Sequence, residues 1–255
     1  MSARQSLPGK VVLITGASRG IGQAIAFRLA CERPAHIFIA YCLNHEAAAA
    51  TVSQIEALGV SASAISADLG QLDSIHEMFD QIEAACGVLD IFVSNAARAS
   101  FQQASRITAR SWDRTMDINA RAFLVGSQHA ARLMKERGGR IIAVSSLGAH
   151  RYTPGYLALG AAKAALESVA RYLAVELAAQ DINVNVVCGG LIETETSTLH
   201  PDYGELKRRV IDRTPAGRVG RPEDLAAVVA FLCKPEADWI RGQTLIADGG
   251  FSLVN

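Results

Sequence analysis

Seven short apolar runs alternate with longer segments of helical pattern from one end of this chain to the other, and that order leaves few architectures open. The runs are 10–15, 35–41, 61–67, 89–94, 139–145, 181–188 and 243–247. Between them, segments such as 20–33, 46–58, 71–86, 111–136, 156–179 and 222–234 are rich in Ala, Leu, Glu and Arg. Strands that arrive singly, each separated from the next by a helix, run parallel, because the crossover carries the chain back to the edge it left. The expected fold class is α/β: a doubly wound, seven-stranded parallel sheet with helices on both faces. With 255 residues and no repeat, low-complexity tract or Pro/Ser-rich linker, 1–255 reads as one domain. One segment breaks the pattern. Residues 191–221 hold Thr194, Thr196, Thr198, His200, Pro201, Pro215, Gly217 and Gly220, and they follow the sixth strand. Ligands of open parallel sheets bind beyond the carboxyl ends of the strands, where such a segment would form a substrate lid.

Lysine plus arginine number 25, as do aspartate plus glutamate, so there is no general electrostatic case for nucleic acid or an anionic membrane as partner. Five scattered cysteines (Cys31, Cys42, Cys86, Cys188 and Cys233) without a Cys-x-x-Cys pair read as buried thiols of a reducing compartment. The N-terminal stretch lacks the apolar core of a signal peptide and no run has membrane-spanning length, so a cytoplasmic location is expected. The six histidines show no His-x-x-x-His and no carboxylate at ligand spacing, so no metal is expected.

The chemistry begins at the end of the first strand. Val11-Val12-Leu13-Ile14 runs into Thr15-Gly16-Ala17-Ser18-Arg19-Gly20-Ile21-Gly22 and then into a helical pattern. Glycines at 16, 20 and 22 in that context form the dinucleotide-binding turn of a Rossmann-type sheet. Gly16 permits the turn, Gly20 admits a pyrophosphate against the backbone, and Gly22 lets the helix pack on the strand. The helix N-terminus presents its amides and positive dipole to the phosphates, with Ser18, Arg19 and Ile21 completing the loop. The second strand ends at Tyr41-Cys42-Leu43-Asn44, beside the expected adenosine ribose, without a carboxylate for a 2′-hydroxyl. Arg19 offers a guanidinium to a 2′-phosphate, so NADPH is favoured over NADH, although 42–44 bring no second basic residue. Asp68-Leu69, after the third strand, would accept from the adenine amino group or cap the helix of 71–86. Asn95-Ala96-Ala97 closes the fourth strand with small residues that let a cofactor lie close, and Asn95 would tie neighbouring strand ends together.

Tyr156 and Lys163 stand seven residues apart in Tyr-Leu-Ala-Leu-Gly-Ala-Ala-Lys. On a helix that is almost two turns, so the phenol and the ammonium project from nearly one face. Taken together, the motifs resemble the short-chain dehydrogenase/reductase family over nearly the whole chain. The residues that carry the resemblance are Thr15-Gly16-(x)3-Gly20-Ile21-Gly22, Asp68-Leu69, Asn95-Ala96, Asn119 in Met-Asp-Ile-Asn, Ser145-Ser146, Lys163, Gly190-(x)3-Thr194 and Arg241-Gly242-Gln243-(x)4-Asp248-Gly249-Gly250. The resemblance implies that Lys163 holds the nicotinamide ribose hydroxyls and lowers the pKa of a catalytic tyrosine. Asn119 would support a water chain to the lysine, and Ser146 would steady the substrate carbonyl. Gly189, Gly190 and Ile192 would contact the nicotinamide through backbone and apolar surface, and Thr194 through its hydroxyl. A homotetramer, or at least a dimer, is implied, with the helix of Tyr156 and Lys163 packed on its copy.

The family's usual tyrosine lies four residues before the lysine, and here that position is Leu159. Tyr156 instead is similar to the Tyr-(x)6-Lys arrangement of the NADPH-using enoyl-acyl-carrier-protein reductase branch, as are Ser145-Ser146-Leu147-Gly148, Arg151-Tyr152, Gly189-Gly190-Leu191-Ile192-Glu193-Thr194 and Thr214-Pro215-Ala216-Gly217-Arg218. A donor moved by about one helical turn, roughly 4.5 Å, suits a different reduction. In a carbonyl, acid and hydride act one bond apart; in an enoyl thioester the charge develops three bonds from the hydride carbon. The resemblance thus implies NADPH-dependent reduction of an enoyl thioester on acyl-carrier protein or CoA, in fatty-acid or related acyl-chain biosynthesis. Two alternatives remain: a carbonyl reductase of the β-ketoacyl type, and a non-catalytic NADP-binding sensor or scaffold. Tyr152 would line the acyl pocket or replace Tyr156 as donor. Tyr172 is expected in an interface or the core, and Arg208, Arg209, Arg213 and Arg218 near the lid would meet an acidic carrier.

Overall fold

Parallel pairing joins seven strands: Val11–Thr15 (β1), His36–Tyr41 (β2), Ser61–Ser66 (β3), Ile91–Ser94 (β4), Gly139–Ser146 (β5), Ile182–Gly189 (β6) and Thr244–Ala247 (β7). Their order across the sheet is β3-β2-β1-β4-β5-β6-β7. The computed structural model from which this comes describes residues 7–99, 101–200 and 202–254; residues 1–6 of the N-terminal reading and Pro201 of the lid lie outside them. Each expected strand is present within two residues of its expected ends. The helices are Gly20–Ala30 (α1), His45–Ala57 (α2), Leu72–Cys86 (α3), Ala109–Met116 (α4), Ala122–Met134 (α5), Leu157–Glu176 (α6), Glu195–Thr198 (α7), Tyr203–Arg213 (α8) and Pro222–Leu232 (α9).

Alternation along each strand divides the core between the two faces of the sheet. Ile14, Ile39, Ile142 and Val187 point to one face and pack with Ile25 and Leu29 of α1, Ile55 of α2 and Val229 of α9. Leu13, Phe38, Phe92 and Ile141 point to the other, against Phe79 of α3, Phe123 of α5 and Leu166 of α6. Among the described residues no helix is long and apolar enough to cross a membrane.

Three expectations change. The helix expected over 111–136 is interrupted by a π-turn at Asp117–Arg121, and Asn119 sits in it. The lid is more regular than its sequence suggested, because α7 and α8 fall inside 191–221. Val210 is the buried residue of α8, so the segment lacks the apolar stripe by which a packed helix is read. All five cysteines are free, but Cys31 and Cys42 are exposed, so the expectation of buried thiols fails there.

Strand order reverses between β2-β1 and β4-β5, and the first glycine turn lies at this switch. Asn95 Nδ2 donates to the carbonyls of Thr15 at 2.9 Å and Gly16 at 3.1 Å, while the amides of Asn95 and Ala96 donate to Thr15 Oγ1 at 3.1 Å. The expected tie between strand ends is therefore present. Gly22 has no room for a side chain: a Cβ there would overlap the Gly16 carbonyl and lie 2.5 Å from Asn95 Nδ2. Gly22→Ala should therefore destabilise the fold by about 1–3 kcal/mol and weaken dinucleotide binding, measured by thermal melting and cofactor titration. Melting and affinity equal to wild type would show that the turn accommodates the methyl.

Candidate active site

A cleft of about 850 Å³ opens over the carboxyl ends of the strands, lined from the glycine turn at one end to α8 of the lid at the other. Every expected site residue lines it except Gly22, which acts through packing, and Asn119. The cleft's volume is that of a small-molecule or cofactor site.

At the glycine end, Gly16 and Gly20 both have positive φ, 64° and 60°, a conformation that other residues rarely adopt. Arg19 occupies the N-cap of α1 without a side-chain capping bond, and the first turn carries no acidic residue. The backbone amides and dipole there are thus available to a phosphate. These observations fit a dinucleotide, which Gly16, Ser18, Gly20 and Ile21 would hold. Arg19 itself pairs with Glu195 of α7 at 2.7 Å, with both side chains largely exposed. Such a pair is worth little in water and would yield to a phosphate. Tyr41 lines the cleft with its hydroxyl 2.7 Å from His45 Nδ1.

Asp68 corrects one expectation. Its carboxylate is held by Arg114 Nη2 at 2.7 and 2.9 Å and accepts the Gly70 amide at 2.9 Å. Burial raises its pKa, but the Arg114 and Gly70 hydrogen bonds outweigh that and hold the carboxyl below its ordinary range. It does not cap the following helix, whose N-cap is Gln71. Arg114 lies 46 residues away, and no local spacing announces it.

At the other end stand the candidate reacting groups. Lys163 is 4 % exposed on α6, and its Nζ donates to the Val144 carbonyl at 2.7 Å. Burial lowers its pKa to about 8, against the opposing pull of Glu167 and Cys188. Tyr156 is the N-cap of α6, with φ −100° and ψ 6°, so it precedes the helix instead of belonging to it. The estimate of one helical turn therefore applies to Leu159, 3 % exposed inside the helix, and not to the phenol. The Tyr156 ring lies on Gly148, where any Cβ would overlap it, and 6.0 Å from the Phe101 ring. Phe101 in turn packs edge-on against His200 at 5.0 Å. Sequence reasoning missed Phe101 and the role of Gly148, because both act from loops without periodicity.

The phenol's acidity also departs from expectation. Burial raises the Tyr156 pKa and so does Cys188, while a hydrogen bond with Ser146 lowers it; the net direction is up, and Lys163 is not among the causes. A neutral hydroxyl, a hydrogen-bond donor, is what this setting favours. Tyr152 is 88 % exposed at the rim of the cleft, remote from the dry geometry of a proton donor. Asn119 donates through Nδ2 to the Thr115 carbonyl at 2.9 Å and the Arg98 carbonyl at 3.3 Å, and its Oδ1 is buried without a partner.

The remaining expectations resolve through packing. Gly189 and Gly190 are required by close approach, not by backbone freedom. A Cβ on the first would lie 2.8 Å from Leu225 Cδ1, and on the second 2.9 Å from Asp248 Cβ. Ile192 is buried and bridges to Gly220. The Thr194 hydroxyl accepts the Ser197 amide as the N-cap of α7. Tyr172 is 69 % exposed and so is not core. Arg218 is held bidentately by Asp224 at 2.6 and 2.9 Å, which removes it from any free carrier patch, whereas Arg209 and Arg213 of α8 line the cleft.

Known proteins share this architecture and sequence. The family model described as enoyl-(acyl carrier protein) reductase matches residues 16–252. The chain is 42 % identical over 247 residues to 1-cyclohexenylcarbonyl-CoA reductase of Streptomyces collinus, covering 96 % of this chain and 88 % of that one. It is 36 % identical over 261 residues to versicolorin reductase 1 of Aspergillus parasiticus, covering 98 % and 99 %. Among solved structures, a putative short-chain alcohol dehydrogenase from Sinorhizobium meliloti superposes with a TM-score of 0.92 at 32 % identity over 99 % of this chain and 100 % of that one. An acetoin dehydrogenase from Salmonella typhimurium gives 0.88 at 30 % identity over 97 % and 99 %. With its glycine turn, its sheet order and its cleft, the chain belongs to the short-chain dehydrogenase/reductase family of NAD(P)(H)-dependent oxidoreductases.

Proposed function

We propose that this protein is an NADPH-dependent reductase of α,β-unsaturated acyl thioesters. The observation that carries the reading is the placement of the only phenol packed beside Ser146 among the described residues: Tyr156 stands at the head of α6, while Leu159 fills the nearer position with hydrocarbon. NADPH, when bound, would supply the hydride. Lys163 would hold the ribose hydroxyls, and Ser146 would keep the Tyr156 hydroxyl aimed into the cleft. As Cβ of the substrate accepts hydride, charge would gather on the thioester oxygen, where the neutral Tyr156 hydroxyl donates a hydrogen bond, and Cα would then take a proton from solvent to give the saturated thioester. A phenol whose pKa is raised suits that duty, since it remains a donor throughout the neutral pH range.

The substrate handle would be anionic. Arg98, Arg151, Arg209 and Arg213 line the cleft, whereas its acids Asp68 and Glu195 are already paired with Arg114 and Arg19. This charge suits the phosphates of CoA, or the phosphopantetheine of an acyl-carrier protein in acyl-chain biosynthesis. The Streptomyces relative is named for a CoA thioester, which supports the first. The absence of a carboxylate at 41–44 and the weakly held Arg19 support NADPH over NADH. Exposed Leu157, Tyr172 and Val175 on α6 support a homotetramer in which that helix meets its copy. Free thiols, two of them exposed, support a reducing cytoplasm. A carbonyl reductase is the second reading, favoured by the contact between Tyr156 and Ser146, which would also serve a ketone.

Crotonyl-CoA and acetoacetyl-CoA assayed side by side with NADPH separate these readings. We expect only the first to be consumed; consumption of the second alone would establish the carbonyl reductase, and of neither the non-catalytic alternative.

Tyr156→Phe should lower turnover on crotonyl-CoA by on the order of a hundred- to a thousandfold and leave the NADPH dissociation constant nearly unchanged. Full activity in that variant, with loss in Tyr152→Phe, would transfer the donor role to Tyr152.

Arg19→Ala should weaken NADPH and spare NADH, narrowing a preference that cofactor titration of the wild type must first show. Equal wild-type affinities would remove the argument from Arg19.

A further inference from the structure

The turn that delivers Tyr156 to the head of α6 is Thr153-Pro154-Gly155-Tyr156. The Tyr156 amide donates to the Thr153 carbonyl at 3.1 Å, and Gly155 has φ 69°. Proline followed by a glycine of positive φ at the two central positions marks a type II turn. Only the first carbonyl of such a turn is bonded inside it, so those of Pro154 and Gly155 need partners from elsewhere. The Gly155 carbonyl accepts the Gln102 amide at 2.9 Å. The Pro154 carbonyl accepts from His200 Nε2 at 3.3 Å, across 46 residues of sequence.

His200 belongs to the lid, at the joint between α7 and α8. Its amide donates to the Ser197 carbonyl at 3.2 Å, and its carbonyl accepts the Tyr203 amide at 3.0 Å. The side chain lines the cleft, and the residue is 8 % exposed. At the far side of the ring, Nδ1 accepts the Asp202 amide at 3.1 Å. An amide can only donate and a carbonyl can only accept, so the two contacts together require the neutral ring with its hydrogen on Nε2. The same ring packs edge-on against Phe101 at 5.0 Å, and Phe101 faces the Tyr156 ring at 6.0 Å. His200 thus reaches the phenol by two routes, through the backbone of the turn and through Phe101. A leucine or phenylalanine would fill the wall without either directed bond, and the reaction proposed above gives this histidine no part.

We propose that His200 is a positioning residue for the proton donor: by holding the Pro154 carbonyl it fixes the turn, and so ties the place of the Tyr156 hydroxyl to the seat of the lid. On its helical side Tyr156 is secured by its carbonyl, which accepts the Gly160 amide at 2.7 Å. On the other side the Pro-Gly turn is its anchor. A turn released at Pro154 is free to rotate its central peptide, and a reacting group displaced by about 1 Å loses on the order of a hundredfold in rate. The inference rests on the reading of Tyr156 as donor, although the tie between lid and turn does not.

Two substitutions separate the bond from the ring. His200→Phe keeps an aromatic face for Phe101 and removes the donor, whereas His200→Gln keeps an N–H that can reach the same carbonyl. On crotonyl-CoA with NADPH, or on acetoacetyl-CoA if that is the thioester consumed, His200→Phe should lower kcat by about ten- to a hundredfold. KM and the NADPH dissociation constant should stay near their wild-type values, and His200→Gln should recover most of the loss. A raised KM at unchanged kcat would make His200 a part of the binding wall and overturn the proposal. Unchanged kinetics, or an equal loss in His200→Gln, would overturn it too. Hydrogen exchange followed by mass spectrometry, without substrate, reads the tie itself. The segments holding Gln102 and Tyr156 should exchange about tenfold faster in His200→Phe, while β1 keeps its wild-type rate; unchanged exchange in those segments overturns the tie. Wild-type protein that consumes neither thioester would sink the functional reading, and the exchange result then decides alone whether His200 holds the turn. Should His200→Phe fail to fold in a thermal melt, His200→Ala, which only removes atoms, replaces it in both measurements.

Discussion

A buried ammonium dictates the arrangement around it. Lys163 reaches the carboxyl end of β5 only because α6 lies close against β5 and β6, and that approach depends on small residues along the helix. Gly160 and Ala162 flank the point of contact, and a Cβ at 160 would lie 2.5 Å from the Gly148 carbonyl. Further along, Leu166, Ala170 and Leu173 seat the helix in the core. The hydrophobic layer therefore fixes the charge in place, and the polar groups of β5 receive it. Such a lysine does not stabilise the fold by itself, because desolvation offsets what its partners return. A lysine buried at the wall of a cleft is what a functional site would hold, and it supports the role proposed for Lys163.

The cleft divides its electrostatics by position. Around the glycine turn and along the lid, cations lie exposed or weakly engaged: Arg19 with Glu195, and Arg98, Arg209 and Arg213 on the wall. Toward the middle, Ala96, Ile192, Leu159 and the Gly189-Gly190 backbone present a small, apolar surface. Anionic groups of two ligands would thus be drawn to the ends, while their reacting atoms meet where water is scarce and a single hydroxyl counts for most.

The fold was legible because it rests on period and punctuation. Parallel strands buried on both faces read as continuous apolar runs; in the first turn Gly16 and Gly22 have no room for a side chain and Gly20 needs its positive φ, so both leave a plain mark in sequence. Asn95 was legible although Thr15 is 80 residues away, because neighbouring parallel strands bring their carboxyl ends side by side. What could not be read was long-range or loop-borne: Arg114 on Asp68, Phe101 and His200 around the phenol, and Glu167 beneath His150. Residue types at those positions carry no periodic signal, and only the closed sheet brings them together. The lid misled in the opposite direction, because α8 buries too little apolar surface to announce itself as a helix.

Placing the phenol at a helix cap separates two duties that a donor inside the helix would have to share. A tyrosine at 159 would move as one body with Lys163, its distance from the cation fixed by the helical rise. Tyr156 has left helical backbone at ψ 6°, and its ring is held by Gly148, Phe101 and Ser146, none of which belongs to α6. The cation is thereby positioned by the core, and the phenol by the end of β5 and the segments beyond it at the mouth of the cleft. Loop geometry can shift a hydroxyl by a few ångströms without disturbing the cofactor end, whereas a shift within the helix would tilt both. The same sheet and the same lysine can then serve substrates whose developing charge lies at different distances from the hydride carbon. On the proposed reading, the substrate's dimensions are set by the segment that carries the tyrosine.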